Sequence, residues 1–149
     1  MALVREPAVA GMFYPGDPAT LEADVQRELA SARPPASCPA PKAVIVPHAG
    51  YVYSGAVAAS AYALVAQRRG EIERVVLLGP SHRVALRGLA IPRADAFLTP
   101  LGAVPVDRAA LEEVQALPQV CELDAAHAEE HSLEVQLPFL QQALGSFRL

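Results

Sequence analysis

Pro47-His48-Ala49-Gly50-Tyr51-Val52-Tyr53-Ser54-Gly55 decides how this 149-residue chain is read, and Gly79-Pro80-Ser81-His82 is its counterpart. In each, a histidine follows a short, nearly continuous apolar run, residues 43–46 in one case and 75–78 in the other. Short apolar runs that end in Gly/Pro turns read as buried strands. A helical pattern lies between them, so the unit reads strand–helix–strand with parallel strands. Ligands of open α/β sheets bind beyond the carboxyl ends of the strands. A lone histidine at a strand end is more often a hydrogen-bonded turn residue than a ligand. Two at matched positions share one crevice and point to a metal, with His48 and His82 as its ligands. Their side chains should then lie within a few ångströms of a common point, because ligand nitrogens sit ~2 Å from the ion.

Outward from this unit the remaining elements follow. Asp17-Pro18 opens a first helix, Asp as N-cap and Pro at the first helical position, with Leu21, Val25 and Leu29 on one face. Residues 33–41, rich in proline, form a stiff connector too short to separate two domains. The helix after the first histidine is expected over about 55–69, buried through Val57, Ala61, Leu64 and Val65, with Gly70 just past its end. Residues 89–91 and 104–106 read as further short strands, and Asp107 caps a short helix carrying Leu111 and Val114. A last helix is expected from about Glu130, with Leu133, Leu137, Leu140 and Leu144 on one side and Pro138 kinking it or marking a boundary. The fold class is therefore α/β, a single domain over 1–149 with a largely parallel sheet flanked by helices.

Composition bounds the function. Hydrophobic content of 52% and 19% charged residues belong to a folded globular chain. A net charge of −4 gives no basic footprint for nucleic acid. Cys38 and Cys121 are too few for a disulfide scaffold and too far apart for a Cys-x-x-Cys site; Cys38, among prolines, reads as a bystander. No signal-peptide pattern is apparent and no window approaches the ~18 apolar residues of a membrane span, so a cytoplasmic location is expected, with no membrane partner.

Two further chemistries compete for the histidines. His127-Ala128-Glu129-Glu130-His131 matches the H-x-x-E-H pattern of zinc peptidases, in which two histidines share a helical face. Asp124-Ala125-Ala126 before it reads as a helix entry, which weakens the match. Ser81-His82 as nucleophile and base is weaker still, since adjacent residues rarely reach that geometry. Glu129-Glu130 reads most simply as a solvated or dipole-complementing first helical turn. Glu130 and His131 are nonetheless the in-chain candidates for a third ligand.

The chain resembles the amino-terminal half of a Memo-family protein, a family that accompanies AMMECR-type and radical-SAM proteins in many microbes. The resemblance rests on five blocks in order: residues 5–15 (Arg5-Glu6-Pro7 through Tyr14-Pro15), 47–55, 78–82, 98–102 and 129–140. It implies a fold similar to the ring-opening extradiol dioxygenases, a mixed α/β sheet flanked by helices. It implies that His48 and His82 correspond to two metal-binding histidines of the family. The family's third ligand, a cysteine, belongs to a carboxyl-terminal half that this sequence lacks, and Cys121 is not its equivalent.

The sequence thus leads to a Memo-like chain with a non-haem metal site and a redox or dioxygenase-related role. Fe(II) is the expected metal, with Cu or Zn as alternatives. Tyr51, Tyr53, Ser81, Glu130 and His131 are the expected cleft-lining or supporting residues. His131 is expected near the crevice without being a primary ligand. The alternative is a non-catalytic module that binds a peptide or protein partner in the same crevice. An exposed sheet edge also leads us to expect self-association.

Overall fold

Three helices carry the core because their small and large apolar residues interlock. A computed structural model describes residues 2–34 and 39–149; Cys38 and the middle of the proline-rich connector lie outside the described residues. Helix α1, Pro18–Ser31, is capped by Asp17, whose side chain accepts from the Thr20 N–H, and it buries Leu21 and Val25 completely. Helix α2, Tyr51–Val65, continues into a 3-10 turn over Ala66–Arg68. Helix α5, Leu137–Leu144, packs Phe139 and Leu140 against both. The Tyr62 and Phe139 rings stack at 5.3 Å with planes 8° apart.

Around this core lie two small sheets. In the first, β1 (Val4–Arg5) pairs parallel with β3 (Ala96–Thr99), which pairs antiparallel with β4 (Gly102–Pro105). In the second, β2 (Leu89–Ile91) pairs parallel with β5 (Val120–Glu122). Helix α3, Arg108–Gln115, follows its Asp107 cap, and a single turn α4, Ala125–Ala128, leads to residues 129–136. The class is mixed α/β with helices flanking the sheets, as the sequence predicts.

Local departures have identifiable causes. Helix α2 starts at Tyr51, four residues before the expected Gly55, because the Gly50 carbonyl already accepts from Ser54. Its buried face is Ser54, Gly55, Ala58, Ala59, Tyr62 and Val65; of the expected stripe Val65 is buried, Ala61 and Leu64 are half-buried and Val57 is exposed. Small residues face α1 and α5, which the spacing of large apolar residues does not reveal. Pro138 occupies the first turn of α5, where its missing N–H breaks no intrahelical bond. It therefore opens a helix after the 3-10 turn Glu134–Gln136 instead of kinking a long one.

The expected strands over 43–46 and 75–78 are extended but are not paired as strands. A strand is defined by its neighbour, and among the described residues none hydrogen-bonds to the backbone of 43–46 or 76–79. No helix of the described residues is long and apolar enough to cross a membrane.

Tyr62 links this core to the first histidine turn. Its hydroxyl donates to Gln136 Oε1 at 2.8 Å, and Gln136 Nε2 donates to the Pro47 carbonyl at 3.0 Å. Tyr62→Phe leaves the buried Gln136 acceptor unpaired and should lower unfolding stability by about 1–2 kcal/mol in denaturant titrations. A loss below the error of the titration would mean the hydrogen bond is dispensable.

Candidate metal centre

The two histidine turns converge from different elements. Residues 43–48 run into the N-terminus of α2, where the Tyr51 N–H donates to the Phe13 carbonyl at 2.7 Å. Gly50 sits so close to Phe13 that an added Cβ would lie 3.3 Å from its carbonyl oxygen. The second turn is pressed onto residues 132–133. A Cβ on Gly79 would meet Leu133 Cδ2 and Ser132 Oγ, both at 2.8 Å, so a larger residue there would have to displace those two side chains. Ser132 Oγ also donates to the Pro80 carbonyl at 2.8 Å.

These contacts bring three imidazoles together. Ring centroids of His48 and His82 are 5.3 Å apart, those of His82 and His131 4.6 Å, and those of His48 and His131 5.8 Å. One nitrogen from each lies within 4.8 Å of the others. His131, expected beside the crevice, lies inside the cluster on equal terms with the other two. Phe13 packs against its ring at 4.7 Å.

Glu130 organises the cluster from beneath. Its carboxylate accepts from the His82 backbone N–H at 2.6 Å, from His82 Nδ1 at 2.8 Å and from the Ser132 N–H at 2.9 Å. His131 Nδ1 lies 3.4 Å from the same Oε1. Donation from Nδ1 leaves His82 Nε2 as the free lone pair directed away from the carboxylate. Burial alone would push the Glu130 carboxyl up, but the hydrogen bonds from His82 and Ser132 outweigh it and hold it at about 2. For His131, burial lowers the pKa and outweighs the attraction of Glu130, keeping the ring neutral and able to ligate.

The shift at Glu130 has a pH consequence. Its folded value lies below its ordinary value of 4.5, so its stabilisation is fully present above about pH 4.5 and is lost as pH falls towards 2. Thermal midpoints should therefore decline across that window, and more shallowly in Glu130→Gln. Parallel pH profiles for the two proteins would contradict this linkage.

The other expected residues separate. Tyr53 lines the open concavity with His48 and His131, beside Ile45 and Leu78. Tyr51 does not line it: its hydroxyl donates to the Val135 carbonyl at 2.8 Å and its ring packs on Tyr14 and Phe139. It packs against the core, on the face of α2 opposite the exposed Tyr53. Ser81 donates to the Val84 carbonyl at 2.7 Å, which turns its hydroxyl to a local turn rather than to His82. Glu129 and Glu130 do not form a helical turn, because α4 ends at Ala128.

His127 stands apart. It is buried, with Nε2 3.1 Å from the Ala90 carbonyl and its ring edge-on to Phe97. The helix ends between His127 and His131, so the two do not share a helical face and the peptidase pattern has no structural counterpart. Phe13, Ser132 and Gln136, which sequence reading missed, shape the cluster through contacts between distant segments. All three fall inside the family-like blocks, which was the one available signal.

Comparison with known proteins decides the family. The Memo-like protein family matches residues 5–149. The chain belongs to the Memo family. This Memo-family chain is 45% identical over 140 residues to a MEMO1 family protein of Aquifex aeolicus, a match covering 93% of the chain and 50% of that relative. It is 43% identical over 157 residues to one from Ignicoccus hospitalis, covering 99% of the chain and 55% of the relative. A MEMO1 family protein of Methanopyrus kandleri is 43% identical over 156 residues, with 97% and 54% covered. The chain thus spans about half the length of the curated relatives it matches.

Proposed function

We propose that this Memo-family chain carries a metal centre in which His48, His82 and His131 each present a neutral imidazole to one ion. The observation that carries the reading is the placement of three histidine nitrogens, from three separate segments, within 4.8 Å of one another. Ligand nitrogens ~2.0–2.1 Å from a tetrahedral ion are about 3.4 Å apart, so small side-chain rotations close the set. Imidazole suits Fe(II), Cu(II) and Zn(II) alike. Tyr53, Ile45 and Leu78 leave one side of the cluster open, where an exogenous group would complete the coordination.

When bound, the ion supplies Lewis acidity and, if it is iron or copper, redox capacity. The chain's own residues hold and orient it. Glu130 fixes the His82 tautomer, and Phe13 supports the His131 ring. Three imidazoles differ from the two-histidine, one-carboxylate set common in Fe(II) oxygenases. The dioxygenase-related role therefore rests on the family's likeness in fold, and metal binding rests on the geometry. Purified chain equilibrated with Zn(II), Cu(II) or anaerobic Fe(II) should bind one ion per chain. No stoichiometric uptake of any of the three would instead favour the second reading, a peptide-binding crevice.

Glu130→Gln keeps the shape of the side chain but weakens its hold on His82 Nδ1. Metal affinity should fall about 10–100-fold in competition with a chelator. Unchanged affinity would show that the carboxylate does not tune the site.

A further inference from the structure

Side chains of residues 130–136, the segment that carries His131, hydrogen-bond to both of the other histidine turns. Glu130 accepts from the His82 backbone N–H and from His82 Nδ1, and its Oε1 lies 3.4 Å from His131 Nδ1. Ser132 Oγ donates to the Pro80 carbonyl, two residues before His82. Gln136 Nε2 donates to the Pro47 carbonyl at 3.0 Å, immediately before His48. A carbonyl can only accept, so the amide must face Pro47 with its nitrogen, which leaves Oε1 for the Tyr62 hydroxyl. Nε2 also lies 3.5 Å from the Ser132 carbonyl, one residue past His131. Gln136 is 3% exposed, so neither end of the amide turns to water.

The three imidazoles are held unequally. Glu130 serves both His82 and His131. Among the described residues none hydrogen-bonds to the His48 ring, which approaches the other two rings at 5.3 and 5.8 Å. Its place is set by the backbone on either side. After His48, Ser54 Oγ donates to the Ala49 carbonyl at 2.9 Å and the Tyr51 N–H to the Phe13 carbonyl. Before it, the bond from Gln136 is the one side-chain hydrogen bond that the described residues of 39–47 receive.

We propose that Gln136 is a positioning residue of the metal centre, setting His48 against the His82–His131 pair that Glu130 holds independently. The inference rests on the three-imidazole reading above. Sites of this kind work within roughly 0.5 Å of the productive geometry, so a small drift at Pro47 takes His48 out of the ligand set. The other two rings stay together, because no bond between them passes through Gln136.

Gln136→Met, a side chain of similar length that makes neither bond, is the test. X-ray absorption of the Zn(II)-loaded variant should count two imidazoles where the unaltered chain counts three. Affinity in competition with a chelator should fall about 10–100-fold. Tyr14→Phe, which removes a buried hydrogen bond to Glu134, is the comparison for lost stability alone and should keep three imidazoles and full affinity. Three imidazoles in Gln136→Met, or equal losses in the two variants, would overturn the inference. Uptake of no ion by the unaltered chain would remove the metal reading instead. Positioning is then read without metal, from a nuclear Overhauser contact between the His48 and His131 rings. That contact should be present in the unaltered chain and lost in Gln136→Met, and its persistence would overturn the inference. If Gln136→Met does not fold, the unaltered chain decides. The Gln136 side-chain amide should exchange with water more than about 100-fold more slowly than that of the exposed Gln115, and equal rates would overturn the proposal.

Discussion

Replacing Glu134 with alanine should lower the stability of this chain by about 3–5 kcal/mol, the cost of stranding a buried charge. Glu134 is fully buried and sits in an ion pair with Arg5, itself 7% exposed. Its carboxylate also accepts from the Ala8 N–H at 2.8 Å, the Val9 N–H at 3.0 Å and the Tyr14 hydroxyl at 2.5 Å. The carboxylate therefore ties residues 5–14 to the 3-10 turn before α5. Arg5 extends the tie by donating to the carbonyls of His127 and Glu130, at 3.0 and 2.7 Å. In Glu134→Ala the guanidinium stays buried without its partner and two backbone N–H groups lose their acceptor. Tyr14→Phe removes only one hydroxyl and should cost about 1 kcal/mol. Chemical denaturation of the three proteins measures the difference. A Glu134→Ala loss no larger than that of Tyr14→Phe would mean the ion pair contributes nothing beyond a single hydrogen bond.

His131→Ala should weaken metal binding as much as His48→Ala does, by more than about 100-fold. Removing a supporting residue alone costs 10–100-fold, and a lost ligand costs more. The equality separates a three-imidazole centre from a two-histidine site with His131 as a bystander. Neither change should unfold the chain, because both side chains are only partly buried and neither belongs to the core cluster. Isothermal titration with Zn(II) is the measurement. Undiminished affinity in His131→Ala would remove it from the ligand set.

The convergence of His48 and His82 was legible because it is local grammar. An apolar run and a Gly/Pro turn place each histidine at the end of an extended segment. The α/β class and helix α1, with its Asp17-Pro18 entry, were legible for the same reason. His131 was read as near the cluster but outside it, since its position depends on the chain leaving α4 at Glu129 rather than continuing as a helix. Glu130 and His82 are 48 residues apart, and nothing in the local pattern announces their contact. Tyr51 was misplaced because an aromatic beside a histidine motif suggests a cleft, whereas the early start of α2 turns it into the core. Glu134 drew no attention, because a glutamate in an apolar helical pattern looks solvated until Arg5 arrives from the other end of the chain. The unpaired state of 43–46 and 76–78 was invisible for a different reason: sequence specifies which residues favour a strand, not whether a neighbour is present to pair with it.

X-ray absorption spectroscopy on the chain loaded with one Zn(II) tests the central claim most directly. Three imidazole nitrogens are expected at ~2.0–2.1 Å, with a light scatterer such as water as the fourth ligand. A spectrum with two or fewer imidazoles, or with sulfur at ~2.3 Å from Cys121, would contradict it.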